Sequence, residues 1–462
     1  MIISRERYNM LIRFVIENMF SFGERKEFNM IPNKRLQTLN HHKYKIKGQE
    51  ILKISAIYGA NASGKSNLVK SLIMLKEFIT ETSSIRTINN VKFKFDIKKN
   101  SKNQTCAIEF FCNEVPFIYA IKLDNNIVSI EELYISGLGK NDDELIYERK
   151  TDSNLKTIIK FNEKFEKQEK SQLIKDVLLE EFVFPDKPIF KLLSNRENEY
   201  FDNVKIAFSW FSEYLTIISP KTRPLSLADI LDKQADFKEY IENIMCSFDV
   251  GICSLKTEKK LASEFFIEDD EDKVEEILQR VEQSPKKMIW GKWKNNEVLV
   301  KKENNQFWVE MLKIGHKDIN NNTILFNLNE ESDGTIRLLD FLPAFYEIIN
   351  KKKVYIIDEI ERSIHPLLIK KLIEKYSNDQ ETNGQLIFTT HESNLLDQNI
   401  FRQDEIWFVE KDKIGNSDIY SLSEYKEHKT IDIRKGYLTG RYGAIPFLGN
   451  LKELNWHKNV ND

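Results

Sequence analysis

The sequence predicts an α/β fold in which a mixed sheet surrounds a glycine-bearing loop, together with an antiparallel β meander and a large helical insertion. Three patterns carry this prediction. The apolar run 51–58 leads directly into the loop 59–66 and then into an amphipathic helix. Segments with strand patterning, beginning at 91–95, follow one another as far as residue 150. Two later apolar runs, 354–357 and 385–389, are typical of strands buried in a parallel sheet.

Length and composition narrow the class of protein. A chain of 462 residues is too long for one simple core, so two or three structural units are expected. Hydrophobic residues make up 41% of it, which is ample for packed interiors. The formal net charge of −3 gives no argument for nucleic acid or membrane surfaces. The 4 cysteines match no zinc spacing, so we expect a reduced, cytoplasmic protein, and no apolar run suggests a membrane partner.

The loop Gly59-Ala-Asn-Ala-Ser-Gly64-Lys65-Ser66 matches a complete phosphate-binding loop. Its glycines let successive backbone N–H groups converge on phosphate oxygens, and the following helix directs its positive dipole end at them. A lysine here supplies charge to the β- and γ-phosphates, and a serine hydroxyl ligates Mg²⁺. A chance match is disfavoured by the strand before it and the helix after it. We therefore predict ATP and Mg²⁺ as cofactors, bound by Gly59, Asn61, Ser63, Gly64, Lys65, Ser66 and Asn67.

The strand predicted at 354–357 ends in two carboxylates, Asp358 and Glu359. Alone this is weak evidence, but downstream of a phosphate-binding loop it is strong. Asp358 is placed to hold Mg²⁺, and Glu359 to polarise the attacking water as general base. The strand at 385–389 leads to His391. A hydrogen-bonded histidine at a strand end is the plainer reading, but the same sheet edge favours a γ-phosphate contact that takes part in catalysis.

Between these elements lies Ser332-Asp-Gly334-Thr335, immediately before a predicted helix at 335–349. An ordinary helix N-cap explains the serine without any further task. A hydroxyl, a glycine N–H and a helix dipole also make an anion site. Because the phosphate-binding loop already occupies that face of the subunit's own ATP, we expect Ser332, Gly334 and Thr335 to complete the site of a second subunit.

These four elements, in this order, resemble the ATP-binding-cassette class of ATPases, in which two heads sandwich ATP. Residues 332–335 stand where that class has its signature Leu-Ser-Gly-Gly-Gln, but with one glycine. Residues 358–366 look like the Walker B strand end and following loop of the RecF, SMC and OLD-type branch, with Ile360 replacing its proline and Ile364 its leucine. The resemblance implies an ABC-type ATPase head with Walker A, Walker B and a histidine switch.

Nearly the whole chain is similar to a prokaryotic AAA/ABC-type ATPase family of anti-phage defence loci, which includes AriA-type proteins of the PARIS system and RloA-type proteins. The shared features are the segments 16–22, 332–335, 389–397, 402–411 and 437–446. This resemblance implies a homo-oligomer of at least two subunits that controls a separately encoded effector, a toxin or nuclease, in response to a phage-encoded trigger. On this basis we predict an N-terminal head lobe at 1–155, a helical insertion for assembly at 156–284, and a C-terminal head lobe at 285–462.

The main alternative is a RecF/SMC-like DNA-binding repair ATPase. Six lysines interleave with Trp290 and Trp293, as on some nucleic-acid surfaces: Lys286, Lys287, Lys292, Lys294, Lys301 and Lys302. A sheet with one solvated lysine face explains them better, since the acidic run 268–272 offsets the charge. A self-contained nuclease is disfavoured because the chain after His391 offers no compact acidic cluster. The large insertion argues against a transport ATPase.

Overall fold

A computed structural model of the protein describes residues 8–95, 103–220, 227–248, 251–267, 269–294, 296–425, 427–428 and 431–445. Glu268 of the acidic run and Pro446 of the shared C-terminal segment lie outside these ranges, as do parts of the three predicted domains. Within these ranges, no helix is long and apolar enough to cross a membrane.

In chain order the described strands are β1 (Met10–Glu17), β2 (Lys26–Asn29), β3 (Lys43–Ile46), β4 (Gln49–Leu52), β5 (Ile54–Tyr58), β6 (Gln104–Cys112), β7 (Val115–Asp124), β8 (Ile127–Ile135), β9 (Glu144–Thr151), β10 (Thr157–Phe161), β11 (Leu215–Ile218), β12 (Ile252–Leu261), β13 (Met288–Trp293), β14 (Asn296–Glu303), β15 (Gln306–Lys317), β16 (Thr323–Asn327), β17 (Val354–Ile357), β18 (Gln385–Thr390), β19 (Ile406–Lys411) and β20 (Ser417–Ser421). The described α-helices are α1 (Lys65–Ile79), α2 (Ile85–Asn89), α3 (Glu163–Glu166), α4 (Ser171–Val177), α5 (Phe190–Ser194), α6 (Asp202–Ser209), α7 (Leu227–Lys233), α8 (Ala235–Ser247), α9 (Ala262–Phe265), α10 (Glu271–Gln283), α11 (Asp333–Asn350), α12 (Pro366–Asn378) and α13 (Ile433–Leu438).

The chain divides into two compact units, each made of separate stretches of sequence. The first comprises Met1–Ser219, Lys351–Ile360 and Ile373–Asp462, and the second comprises Pro220–Asn350 and Glu361–Leu372. This division differs from the predicted boundaries at 155 and 284. Residues 156–219 stay with the first unit because β10 pairs with β9 and β11 pairs with β17. The predicted insertion therefore contains strands as well as helices.

The first unit contains the predicted meander, in a sheet of order β10-β9-β8-β7-β6-β1-β2 whose neighbours are all antiparallel. The predicted strand at 91–95 does not form. The alternation there arises because Phe93 is buried against Gly23, where an added Cβ would lie 2.7 Å from the phenyl ring. The α/β prediction with an antiparallel meander is confirmed.

A second sheet of the first unit positions the predicted site. Its order is β11-β17-β18-β5-β19-β20, and all pairs are parallel except β19 with β20. Every residue of β5, β17 and β18 is buried, as continuous apolar runs predict for central parallel strands. The carboxyl ends of parallel strands lie at one sheet edge, so the segments that follow β5, β17 and β18 are brought together there.

The second unit is built on an antiparallel sheet of order β12-β15-β14-β13, with β16 paired to β15. Helices α7, α8 and α11 supply apolar side chains to one cluster of its core. A second, smaller cluster joins α9 and α10 to strands β14 and β15.

A buried carboxylate anchors the segment after α4 to the meander. Glu131 accepts hydrogen bonds from Tyr119 (3.3 Å), Tyr147 (3.0 Å) and the backbone N–H of Ile189 (2.8 Å). The guanidinium of Arg149 lies 3.5 Å from the same carboxylate. These groups lose their shared acceptor if Glu131 is removed, and a buried cation is left unpaired.

We expect Glu131→Ala to lower the free energy of unfolding of the first unit by about 3–5 kcal/mol, the usual cost of breaking a buried pair. Thermal or urea unfolding measures this. Glu163→Ala is the control, because its ion pair with Lys167 is largely exposed and its loss should change stability little. Equal effects of the two substitutions would contradict the anchoring role.

Candidate functional site

The phosphate-binding loop, residues 59–66, connects the end of β5 to the first turn of α1. Gly64 has φ 122°, and an added Cβ would lie 2.3 Å from Ser417 Oγ. At Gly59 an added Cβ would lie 2.3 Å from the carbonyl oxygen of Val409. Both positions therefore need glycine, one for its backbone conformation and both for the close approach of neighbouring groups.

Lys65 and His391 meet at this loop, although 326 positions separate them. Lys65 Nζ donates to the carbonyls of Gly59 (2.8 Å) and Ala60 (3.1 Å), and lies 3.0 Å from His391 Nε2. Burial lowers the pKa of His391 below its usual value, and the Lys65 ammonium lowers it further. The imidazole is therefore neutral at neutral pH, able to donate or accept a hydrogen bond without carrying charge.

Ser66 and Asp358 form the oxygen-rich part of the site. Ser66 Oγ donates to Asp358 Oδ1 at 3.2 Å, and Thr389 Oγ1 donates to the same oxygen at 2.6 Å. Asp358 follows β17 directly and is buried. A serine hydroxyl and a carboxylate at the mouth of a phosphate-binding loop are the hard oxygen ligands that Mg²⁺ prefers, so these residues fit the predicted metal.

Glu359 occupies a strained position beside Asp358. Its φ of 54° lies in the left-handed region, which is uncommon for a residue with a side chain. Hydrogen bonds to Thr389 hold this turn, because the N–H of Glu359 donates to the threonine hydroxyl (2.8 Å) and that of Ile360 to its carbonyl (3.1 Å). Such conformations persist where the surroundings fix them, often at functional sites.

The remaining predicted loop residues differ in their surroundings. Asn61 is exposed at the tip of the loop, whereas Ser63 is buried. Asn67 lies in the first turn of α1 and donates through Nδ2 to Ser21 Oγ at 2.9 Å. Of these three residues, only Asn61 has an exposed side chain.

The signature-loop residues belong to the second unit, whereas the phosphate-binding loop belongs to the first. Ser332 Oγ accepts from the N–H of Thr335 (3.1 Å) and lies 2.9 Å from its hydroxyl, so it caps α11. Gly334 lies close to backbone, because an added Cβ would be 2.7 Å from the carbonyl oxygen of Ser363. The hydrogen bond from Thr335 confirms that Ser332 acts as an N-cap. The role of these residues toward a second subunit stays a prediction.

A family model described as "AAA domain, putative AbiEii toxin, Type IV TA system" matches residues 54–397, most of the chain. The chain belongs to this family. The match spans the phosphate-binding loop, the Asp358–Glu359 pair and His391, and it confirms the prediction of an AAA-type ATPase that binds nucleotide. The closer likeness to AriA-type, RloA-type and OLD proteins stays a prediction. A comparison with curated proteins gives no significant match.

A comparison with solved structures matches this AAA-domain chain to three SMC heads at low sequence identity. The SmcHead bound to the C-winged helix domain of ScpA is 14% identical, with 90% of this chain and 99% of that chain covered and a TM-score of 0.42. The SMC head domain from Thermotoga maritima is 12% identical (89% and 98% covered, TM-score 0.35). An Smc head with an extended coiled coil, bound to the C-terminal domain of ScpA derived from Pyrococcus furiosus, is 14% identical (94% and 99% covered, TM-score 0.37).

Sequence reasoning missed a hydroxyl cluster that supports the loop of this AAA-family protein. Ser417 Oγ donates to the carbonyl of Ser63 and lies 2.7 Å from Ser21 Oγ. The adjacent Asn416 accepts from the N–H of Gly23 at 2.7 Å. No local pattern reveals Ser417, which is 354 positions from Ser63. Thr389 was also missed, although its place at the end of β18, two residues before His391, was a usable signal.

We expect Ser417→Ala to weaken nucleotide binding, because the buried carbonyl of Ser63 loses a hydrogen-bond donor beside Gly64. A cost of about 1–3 kcal/mol corresponds to a roughly 5- to 150-fold higher Kd for ATP. Fluorescent-nucleotide titration measures it. Ser423→Ala is the matched control, since this serine bonds within its own turn at Ser421. An unchanged Kd in Ser417→Ala would show that the loop holds its shape without this contact.

Proposed function

We propose that this protein is a Mg²⁺-dependent ATPase whose hydrolysis cycle switches a homo-oligomer between states and so controls a separately encoded effector in prokaryotic anti-phage defence. One observation carries the ATPase part. Lys65, Ser66, Asp358 and His391, from three separate stretches of sequence, converge at one edge of the parallel sheet through contacts of 3.0 and 3.2 Å.

In this proposal each polar side chain has one task toward ATP. Lys65 supplies positive charge to the β- and γ-phosphates, and the backbone N–H groups of the loop bind their oxygens. Ser66 and Asp358 hold the metal, which neutralises charge on the phosphates when bound. His391, being neutral, contributes a directional hydrogen bond to the γ-phosphate side and moves away from Lys65 to do so.

Glu359 is the proposed general base. It accepts a proton from the attacking water as the oxygen bonds to the γ-phosphorus and the bond to the β-phosphate oxygen breaks. The backbone of Glu359 is left-handed and its N–H donates to Thr389 Oγ1, and the residue directly follows Asp358, the proposed metal ligand. Strain there supports a functional reason for keeping a glutamate at a position that glycine or asparagine would occupy more easily.

The oligomeric part of the proposal rests on the signature-like residues. Ser332 directly precedes α11, and Gly334 and Thr335 lie in its first turn. All three residues are exposed or half-buried, at a helix end whose dipole favours anions. We propose that they contact the γ-phosphate of ATP held by a neighbouring subunit. ATP would then stabilise one assembly state over another through its differential contacts.

The defence role rests on the sequence resemblance and on the family description, which refers to a putative AbiEii toxin of a type IV TA system. The repair-ATPase alternative gains no support from the lysine-rich strands. Lys294 pairs with Asp269 (2.7 Å), Lys301 with Glu310 (2.6 Å) and Lys302 with Glu282 (2.8 Å), so carboxylates already neutralise these three cations. Lys301 is also buried, and cations already paired with carboxylates attract phosphates weakly.

We expect Lys65→Ala to abolish ATP turnover, and Glu359→Gln to bind ATP but hydrolyse it at least 100-fold more slowly, since an amide takes no proton from water. Phosphate release and nucleotide titration separate the two effects. Glu374→Gln, on α12, is the matched amide control and should turn over normally. Wild-type turnover by Glu359→Gln would move the base elsewhere, with Glu361 the first candidate.

A mixing experiment tests action between subunits. Lys65→Ala and Ser332→Arg proteins should each be inactive, whereas mixed oligomers contain interfaces with one intact composite site and should recover part of the activity. Subunit exchange is verified by differently tagged chains. Full inactivity of demonstrably mixed oligomers would mean that each subunit hydrolyses ATP alone or not at all.

Co-expression with the neighbouring gene tests the effector. The adjacent gene product should co-purify with the ATPase, and its release or activation, read as toxicity or phage resistance, should disappear in Lys65→Ala and Glu359→Gln. If no partner co-purifies and the isolated protein instead shows salt-dependent, ATP-dependent binding to duplex DNA, the repair-ATPase function replaces this one.

A further inference from the structure

The second unit carries an apolar groove beside α10, and none of the described residues that line it is proposed for ATP hydrolysis. The groove has a volume of about 540 Å³ and lies between α9, α10 and the start of β15. Its large apolar lining residues are Leu261, Phe266, Ile267, Val274, Leu278 and Phe307. Ile267, one of the lining residues, is 75% exposed.

The apolar face of α10 is only partly buried by the rest of the second unit. Val274, Ile277, Leu278 and Val281 recur at the spacing of one helix face, and only Val281 is fully buried. The other three pack partly against the small cluster of α9, β14 and β15. An amphipathic helix that leaves such a stripe half covered offers a surface on which a second apolar face gains free energy by burial.

The rim of the groove is acidic. Among the residues that the structure describes, the charged ones lining it are Asp269, Glu271 and Glu275, and none of the lining residues is basic. Lys294 neutralises Asp269 at 2.7 Å, but within the described part of the chain neither Glu271 nor Glu275 forms an ion pair. Two exposed carboxylates thus border the apolar stripe on the first two turns of α10.

We propose that this groove docks a basic amphipathic helix of a partner protein, with apolar side chains on Ile267, Val274 and Leu278, and lysine or arginine opposite Glu271 and Glu275. Helix-in-groove recognition uses this combination of apolar anchors and complementary charge. The acidic rim repels phosphate groups, which disfavours nucleic acid and anionic lipid as occupants. This proposal deepens the proposed function. It rests on that function only in identifying the partner as the effector.

A defined probe tests the groove. A labelled helical leucine–lysine peptide should bind the full-length protein, as measured by fluorescence anisotropy, and a leucine–glutamate peptide of the same pattern should not. Ile267→Glu should weaken binding at least tenfold, because a charge enters the apolar contact. Glu275→Lys should weaken it roughly fivefold at low salt, with the difference shrinking as salt rises. Glu276→Lys is the matched control, with the same charge change on α10 but outside the groove lining.

Equal binding by all variants would show attraction to general surface charge and overturn the proposal, as would no binding. A shift of oligomeric state by Ile267→Glu in sedimentation would overturn it in favour of a second copy of this chain, and competition by anionic vesicles in favour of a membrane surface. Basal ATP turnover is measured in the same variants. It should persist in Ile267→Glu, so failure of the groove and failure of the ATPase assignment are seen separately.

Discussion

One buried carboxylate oxygen holds the nucleotide site together. Oδ1 of Asp358 accepts hydroxyl hydrogen bonds from Ser66 on α1 and Thr389 on β18, while the backbone N–H of Asp358 donates to Ile218 of β11 at 2.8 Å. Burying a carboxylate costs free energy unless such partners compensate. The hydrogen bonds that offset this cost also fix the spacing of three elements, so the geometry around the phosphate-binding loop follows from satisfying a single acidic side chain.

Much of this arrangement can be predicted from the sequence, because local sequence patterns specify its strands and its loop. A continuous apolar run specifies β17, a loop motif specifies the turn before α1, and residues that end parallel strands meet at one sheet edge whatever the intervening chain does. Asp358, Lys65 and His391 were therefore predictable as neighbours. Their predicted chemical roles rest on residue type and on the family resemblance rather than on the contacts themselves.

The rest depended on pairings that no local pattern encodes. Ser417 supports the loop from the first position of β20. Strand β11 lies in a region whose charged, proline-broken sequence predicts helices, yet it pairs with β17 because the edge of the parallel sheet accepts it. At Ser332 the sequence does not decide between two roles, because capping α11 and contacting a phosphate need the same hydroxyl. To contact a ligand, Ser332 must give up or share its hydrogen bond from Thr335.

The order of strands in the parallel sheet has a consequence for synthesis of the chain. The strand before the phosphate-binding loop, β5, leaves the ribosome early, but its two neighbours are β18 and β19, and Ser417 follows them. Long-range pairings of this kind form only once both partners have been made. The loop thus gains its full support after nearly the entire chain has emerged. A chain that ends before β18 would lack both neighbours of β5 and the Ser417 contact to the loop.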